Sequence, residues 1–209
     1  MILIAEDYLT IEHEARLKVP VGSCRFFGSV REITSEEEAN AFLDVVRSEH
    51  PDIKSHCWAF RIGQGSKSLA RYSDGGEPFQ SAGPPILRAI DHLELTNTMV
   101  VVTRYFGEKH GVGGLIRAFH MVSASVLEEA GIRRELVYWP ILIACRYEQL
   151  NFVLHELEKV EARQINQDYQ EEVVIRAEIR PDTFSGLVGR INEWTKGTVT
   201  VVHQESENE

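Results

Sequence analysis

Two short stretches of this chain hold the residue types that do chemistry. The first reads SDGGEPFQSAGPP over residues 73–85. In it Asp74 and Glu77 place two carboxylates three residues apart on a turn made with Gly75, Gly76 and Pro78. Such a pair could hold a metal or act as a base, and residues of this kind also form turns and cap helices. No histidine or further aspartate stands at a spacing that completes a site, so no catalytic set, metal set or cofactor is assigned. The second stretch is RYFGEKHGVGG, residues 104–114. Gly107, Gly111, Gly113 and Gly114 let backbone amides approach a ligand closely. The stretch follows a β-branched run and opens a helix, whose free N–H groups and partial positive charge suit an anion such as phosphate. Arg104, Lys109, His110 and Arg117 sit around it. The spacing matches neither a Walker A loop nor a dinucleotide fingerprint, because no Lys-Ser/Thr follows the glycines. The competing reading is a tight turn that seats a helix on a sheet.

Other reactive residues give less. Cys24, Cys57 and Cys145 are odd in number, widely spaced and set in apolar stretches. They read as buried small hydrophobes rather than a disulfide framework or a zinc site. His56 and Cys57 adjoin, but neighbours on a strand point to opposite faces. Ser23, Ser73 and Ser81 lack a nucleophile-elbow context. Aromatic and basic residues mix over 58–72 (Trp58, Phe60, Arg61, Lys67, Arg71, Tyr72), either as a nucleic-acid surface or as a core sheet with a solvated edge.

The elements that must position these residues follow from periodicity. Residues 9–19 alternate and predict one half-buried strand, broken by Pro20-Val21-Gly22, with a hairpin partner at 23–31. Ser35 and Glu38 have capping-box spacing, with Thr34 and Glu37 as the other register, ahead of a helix that ends at His50-Pro51. Strands are expected at 56–63, 67–72 and 98–105. A short helix is expected at 85–93, and a long one at 113–130 closed by Gly131. Beyond it lie a strand at 136–147 interrupted by Pro140, a helix at 148–160, strands at 162–169 and 171–180, a helix at 183–194 and a strand at 197–203. That order is βαββαβ, the ferredoxin-like split pattern. The fold class is therefore α+β, with a first domain over 1–134, a second over 135–204 and an acidic tail over 205–209.

The 209 residues carry a net charge of −10, which argues against non-specific wrapping of DNA. The charge is uneven: residues 1–134 hold 18 acids and 15 bases, residues 135–209 hold 14 and 7. A local basic patch in the first part could still meet a phosphate. No run of about 18 apolar residues suggests a membrane span, and the apolar start is too short for a signal peptide, so a cytoplasmic protein is expected.

The segments EHPDIKSHCWAFRIG, YSDGGEPFQSAGPPI and VVTRYFGEKHGVGGLIRAF resemble the IMPACT family, in its bacterial YigZ-like branch, over about 20–130. The last part resembles the small domain this branch appends, which is similar to the final domain of the translocase elongation factor. The resemblance implies a ribosomal-protein-S5-domain-2-like fold for the first domain. That superfamily includes RNA-binding ribosomal proteins and small-molecule kinases whose glycine loop cradles phosphate. Eukaryotic relatives act in translational control, binding the ribosome-associated co-activator of a starvation-sensing kinase. The expected function is a translation-associated binding protein contacting RNA, the ribosome or a ribosome-associated partner. The alternative is an enzyme acting on a phosphorylated or nucleotide substrate. The candidate RNA or anion contacts are Arg71, Asp74, Glu77, Arg104, Tyr105, Lys109, Gly111, Gly113, Gly114 and Arg117. Against the family pattern, Gly75 replaces an aspartate, Pro84 a lysine, Glu108 a glycine and Val112 a threonine. These changes weaken an anion site.

Overall fold

The computed structural model of the chain describes residues 7–53, 55–65, 68–105 and 111–204. It falls into two compact units, Tyr8–Glu135 and the chain from Leu136 onward, which also takes in Asp7. Among the described residues no helix is long and apolar enough to cross a membrane.

The first unit is built on a five-stranded sheet. Its strands are β2 (Ala15–Val21), β3 (Cys24–Glu32), β4 (His56–Ile62), β5 (Leu69–Ser73) and β6 (Thr98–Tyr105), in the order β2-β3-β6-β4-β5. Every neighbouring pair is antiparallel. The central strand β6 reads TMVVVTRY, and its first six residues are all buried. Such a run needs cover on both faces. Val100 and Val102 join the cluster under α2 (Gly83–His92) and α3 (Val112–Ala130), whereas Met99 and Val101 join the cluster under α1 (Glu36–Glu49). Period-two alternation thus assigns every later residue of the ladder to one face or the other.

At α1 the Ser35 cap forms, but the return bond of the capping box goes to Thr34 and not to Ser35. Ser35 Oγ accepts from the Glu38 N–H at 3.2 Å, while Glu38 reaches back to the Thr34 N–H at 2.6 Å. Trp58 and Phe60 pack beneath α1, so the 58–72 stretch is a core sheet there and not an open nucleic-acid face.

The alternating run at 9–19 is two strands. β1 (Asp7–Ile11) leaves the sheet and pairs with β7 (Ile132–Leu136). Arg133 holds that pairing by donating to the Ile11 and Glu12 carbonyls and to the Glu32 and Glu135 carboxylates. Pro20 does not break β2, which runs on to Val21; β2 is an edge strand, where a missing N–H costs little. The strand expected at 136–147 is β8 (Trp139–Cys145), shorter at both ends and not interrupted at Pro140, which stays in register opposite Glu178, while β7 precedes it as a separate strand.

The second unit follows the split pattern. β8, α4 (Tyr147–Lys159), β9 (Arg163–Tyr169), β10 (Val173–Ile179), α5 (Phe184–Thr195) and β11 (Thr200–His203) form an antiparallel sheet in the order β11-β8-β10-β9. Ile141, Ile143, Val173, Ile175, Leu187 and Ile191 are among its buried core. Glu156 is buried on α4 and held by Lys159 Nζ at 2.5 Å and Arg190 Nε at 2.6 Å. Those bonds, that from Lys159 first, keep its carboxyl below the usual carboxylate range.

Candidate functional site

Asp74 is the N-terminal cap of α2. Its Oδ1 accepts from the N–H groups of Ala82 at 2.9 Å and Gly83 at 2.8 Å, and its Oδ2 from that of Gln80 at 2.8 Å. Ala82, at the cap position, has no side chain to do this, so the carboxylate comes from eight residues upstream. It also complements the positive end of the helix dipole. α2 therefore begins at Gly83, two residues before the position its prolines suggest. The close seating needs Gly83, where a Cβ would stand 2.5 Å from Tyr72 Cδ2. Gly75 has φ +54°, and a Cβ there would overlap the His56 carbonyl. The family's aspartate does not fit this turn without a shift of backbone.

Glu77 is equally committed. Its side chain is 5% exposed, accepts from Ser55 Oγ at 2.7 Å and pairs with Arg104 Nε at 3.1 Å. Arg104 reaches it because it lies opposite Phe26 on the face covered by α2 and α3. Cys57 shares this face and donates its thiol to the Asp74 carbonyl at 3.0 Å. Burial pushes the thiol pKa up to about 12, which removes thiolate chemistry near neutrality. His56 faces the other way. Its Nε2 donates to the Ile53 carbonyl at 3.0 Å, so Nδ1 accepts from Thr103 Oγ1 at 3.0 Å. Burial lowers its pKa. Among the described residues no group of three or more His, Cys, Asp and Glu is placed to hold a metal.

The second stretch is different. α3 starts after Gly111, no side chain among the described residues caps it, and its first turn has no acid. The Gly114 and Leu115 N–H groups bond back to the Gly111 carbonyl, which leaves those of Val112 and Gly113 without an acceptor among the described residues. Gly111, Val112 and Gly113 are exposed. A Cβ at Gly111 or Gly113 would meet nothing within 4 Å, so neither glycine is required by packing. Arg117 is exposed four residues after Gly113, and a helical side chain leans back over the preceding turn. Arg117 has no carboxylate partner among the described residues.

The structure thus brings Asp74, Glu77 and Arg104 to one end of the α2–α3 face, with Gly111, Gly113, Gly114 and Arg117 opening α3 on that face. Arg71 and Tyr105 are not brought there. Arg71 pairs with Glu36 at 2.9 Å on the α1 side, and Tyr105 alternates with Arg104 onto that side too. Lys109, with Gly107, Glu108 and His110, lies outside the described residues. Ser55 was not expected at the site. Its only sequence signal is its position two residues before Cys57, and its bond to Glu77 spans 22 residues.

Residues 22–127 match the Impact N-terminal domain, about half the chain. The chain belongs to the IMPACT family. An IMPACT family member of Haemophilus influenzae is 29% identical over 199 residues, covering 93% of this chain and 96% of that one. The IMPACT family member YigZ of Escherichia coli is 29% identical over 181 residues, covering 85% and 88%. A crystal structure of a hypothetical protein superposes with a TM-score of 0.74 at 26% identity, over 98% of this chain and all of the other. The likeness to IMPACT members therefore extends through the second unit, and the α+β fold is common to both parts.

Proposed function

We propose that this IMPACT family member is a translation-associated binding protein that meets RNA phosphate at the start of α3. One contrast carries the reading. The N-terminus of α2 is closed by its own chain through Asp74, whereas that of α3 is glycine-built, uncapped by any described side chain and overlooked by Arg117. Helix N–H groups and a guanidinium are the groups that bind phosphate oxygens. The enzymatic alternative would need a free carboxylate, and Asp74 and Glu77 are both engaged in holding the fold. The family resemblance supports the link to translation.

The test is binding of the full chain to structured RNA and to ribosomes at about 50 and 200 mM salt. Association that weakens with salt, and weakens further in Arg117→Glu, is the expected result. If RNA and ribosomes fail to bind at either salt concentration, the proposal is wrong. Turnover of a nucleotide or phosphorylated compound would favour the enzyme instead.

A further inference from the structure

The α1 side of the first unit's sheet is not uniformly covered. The cluster beneath α1 takes in Phe60, Met99 and Val101 but stops short of Phe27 and Tyr105, which lie on the same side. With His50, just past the end of α1, these two residues form a ring cluster. Phe27 lies 4.9 Å from His50 and 5.1 Å from Tyr105 between centroids, and His50 lies 5.8 Å from Tyr105. The His50 Nδ1 and Tyr105 hydroxyl are 3.2 Å apart, which fixes two of the rings against each other. All three residues are half-buried and so keep part of their surface open.

Two cations flank the rings. Lys18 pairs across the strands with Phe27, its Nζ 5.7 Å from the ring centroid, and Arg25 pairs across with Tyr105. Both are exposed. Further up this face Arg16 is neutralised by Glu14 and Glu49, and Arg31 by Glu14. Lys18 and Arg25 have no carboxylate partner among the described residues. In a chain of net charge −10 this is a local reversal of sign next to open aromatic surface.

We infer that Phe27, His50 and Tyr105 form a stacking platform for unpaired bases of single-stranded RNA, with Lys18 and Arg25 holding its phosphates. Rings that receive bases and cations that track the backbone are the two parts such a surface needs. An acidic peptide would use the cations and leave the rings idle. A duplex would keep its bases stacked on each other. The inference rests on the RNA reading above but uses the opposite side of the sheet from α3.

The test separates the two surfaces. The full chain is titrated with a labelled RNA strand of about 12 nucleotides and with an abasic ribose-phosphate strand of the same length. The base-bearing strand is expected to bind about tenfold tighter or better. The double variant Lys18→Glu/Arg25→Glu should lose most of that affinity while its thermal unfolding is unchanged. Ultraviolet cross-linking should map to Phe27 or Tyr105, which keeps the test independent of any variant's folding. Equal binding of the two strands, or loss of binding only in Arg117→Glu, overturns the platform and leaves the α3 reading intact. Competition by polyglutamate with the same sensitivity to Lys18 and Arg25 overturns it in favour of an acidic protein partner. Failure of every RNA and of ribosomes to bind removes the broader proposal as well.

Discussion

Asp74 gives the clearest case of a residue whose chemistry is spent on the fold. Three backbone N–H groups converge on one carboxylate. Asp74→Ala should therefore cost about 2 kcal/mol, the upper end for loss of a cap, measured by urea unfolding. A catalytic Asp74 would instead leave stability intact. That residue type and turn were legible in the sequence, but the choice between cap and metal ligand was not, because it depends on where the chain returns after residue 80. His56 supplies a second residue-scale expectation. Its pKa is lowered mainly by burial, so folding favours the neutral ring. The unfolded ring titrates near about 6.5. The stability owed to His56 is then complete above that pH and is lost as pH falls from there toward the folded pKa. Urea midpoints compared at pH 7.5 and 5.5 should fall more in the natural chain than in His56→Gln. An equal fall in both would assign the acid sensitivity elsewhere.

At the scale of elements the two helix starts decide the reading, because they are built alike and finished differently. An acid at Gly111 would give α3 the cap that α2 already has. Gly111→Asp should raise stability by about 0.5 kcal/mol, from the cap and the dipole together. The same change should weaken binding of RNA or inorganic phosphate, since the new carboxylate occupies the N–H groups and repels the anion. Gains in both stability and binding would show that this helix end is not the contact. Helices and buried strands were legible because their periodicity is local: the 98–105 run, the α1 cap at Ser35 and the closure of α3 at Gly131 all rest on neighbours in sequence. The division of 9–19 into β1 and β2 was not legible. Alternation continues through the bend at Glu12–Glu14, and what draws β1 away is pairing with β7, pinned by Arg133 from more than 120 residues on.

The described residues of the whole molecule form three apolar clusters, two within Tyr8–Glu135 and one from Leu136 onward. The βαββαβ order of the second unit could be read in sequence because each strand and helix there has its own turn signals. Its separation from the first unit could be read only as a change of pattern and charge near residue 134. Separate cores predict separate unfolding, and the three tryptophans are placed to report it. Trp58 stacks on Phe60 in the first unit, while Trp139 stacks on His203 and Trp194 on Phe152 in the second. Ile175 is fully buried in the second core. Ile175→Ala should cost about 2–5 kcal/mol there through lost burial and the cavity left behind. Followed by fluorescence in chains that keep either Trp58 alone or Trp139 and Trp194 alone, the substitution should lower the denaturant midpoint of the second pair. The Trp58 midpoint should not move. If it falls by the same amount, the two units unfold as one cooperative body, and an RNA contact made by the first unit would then depend on the packing of the second.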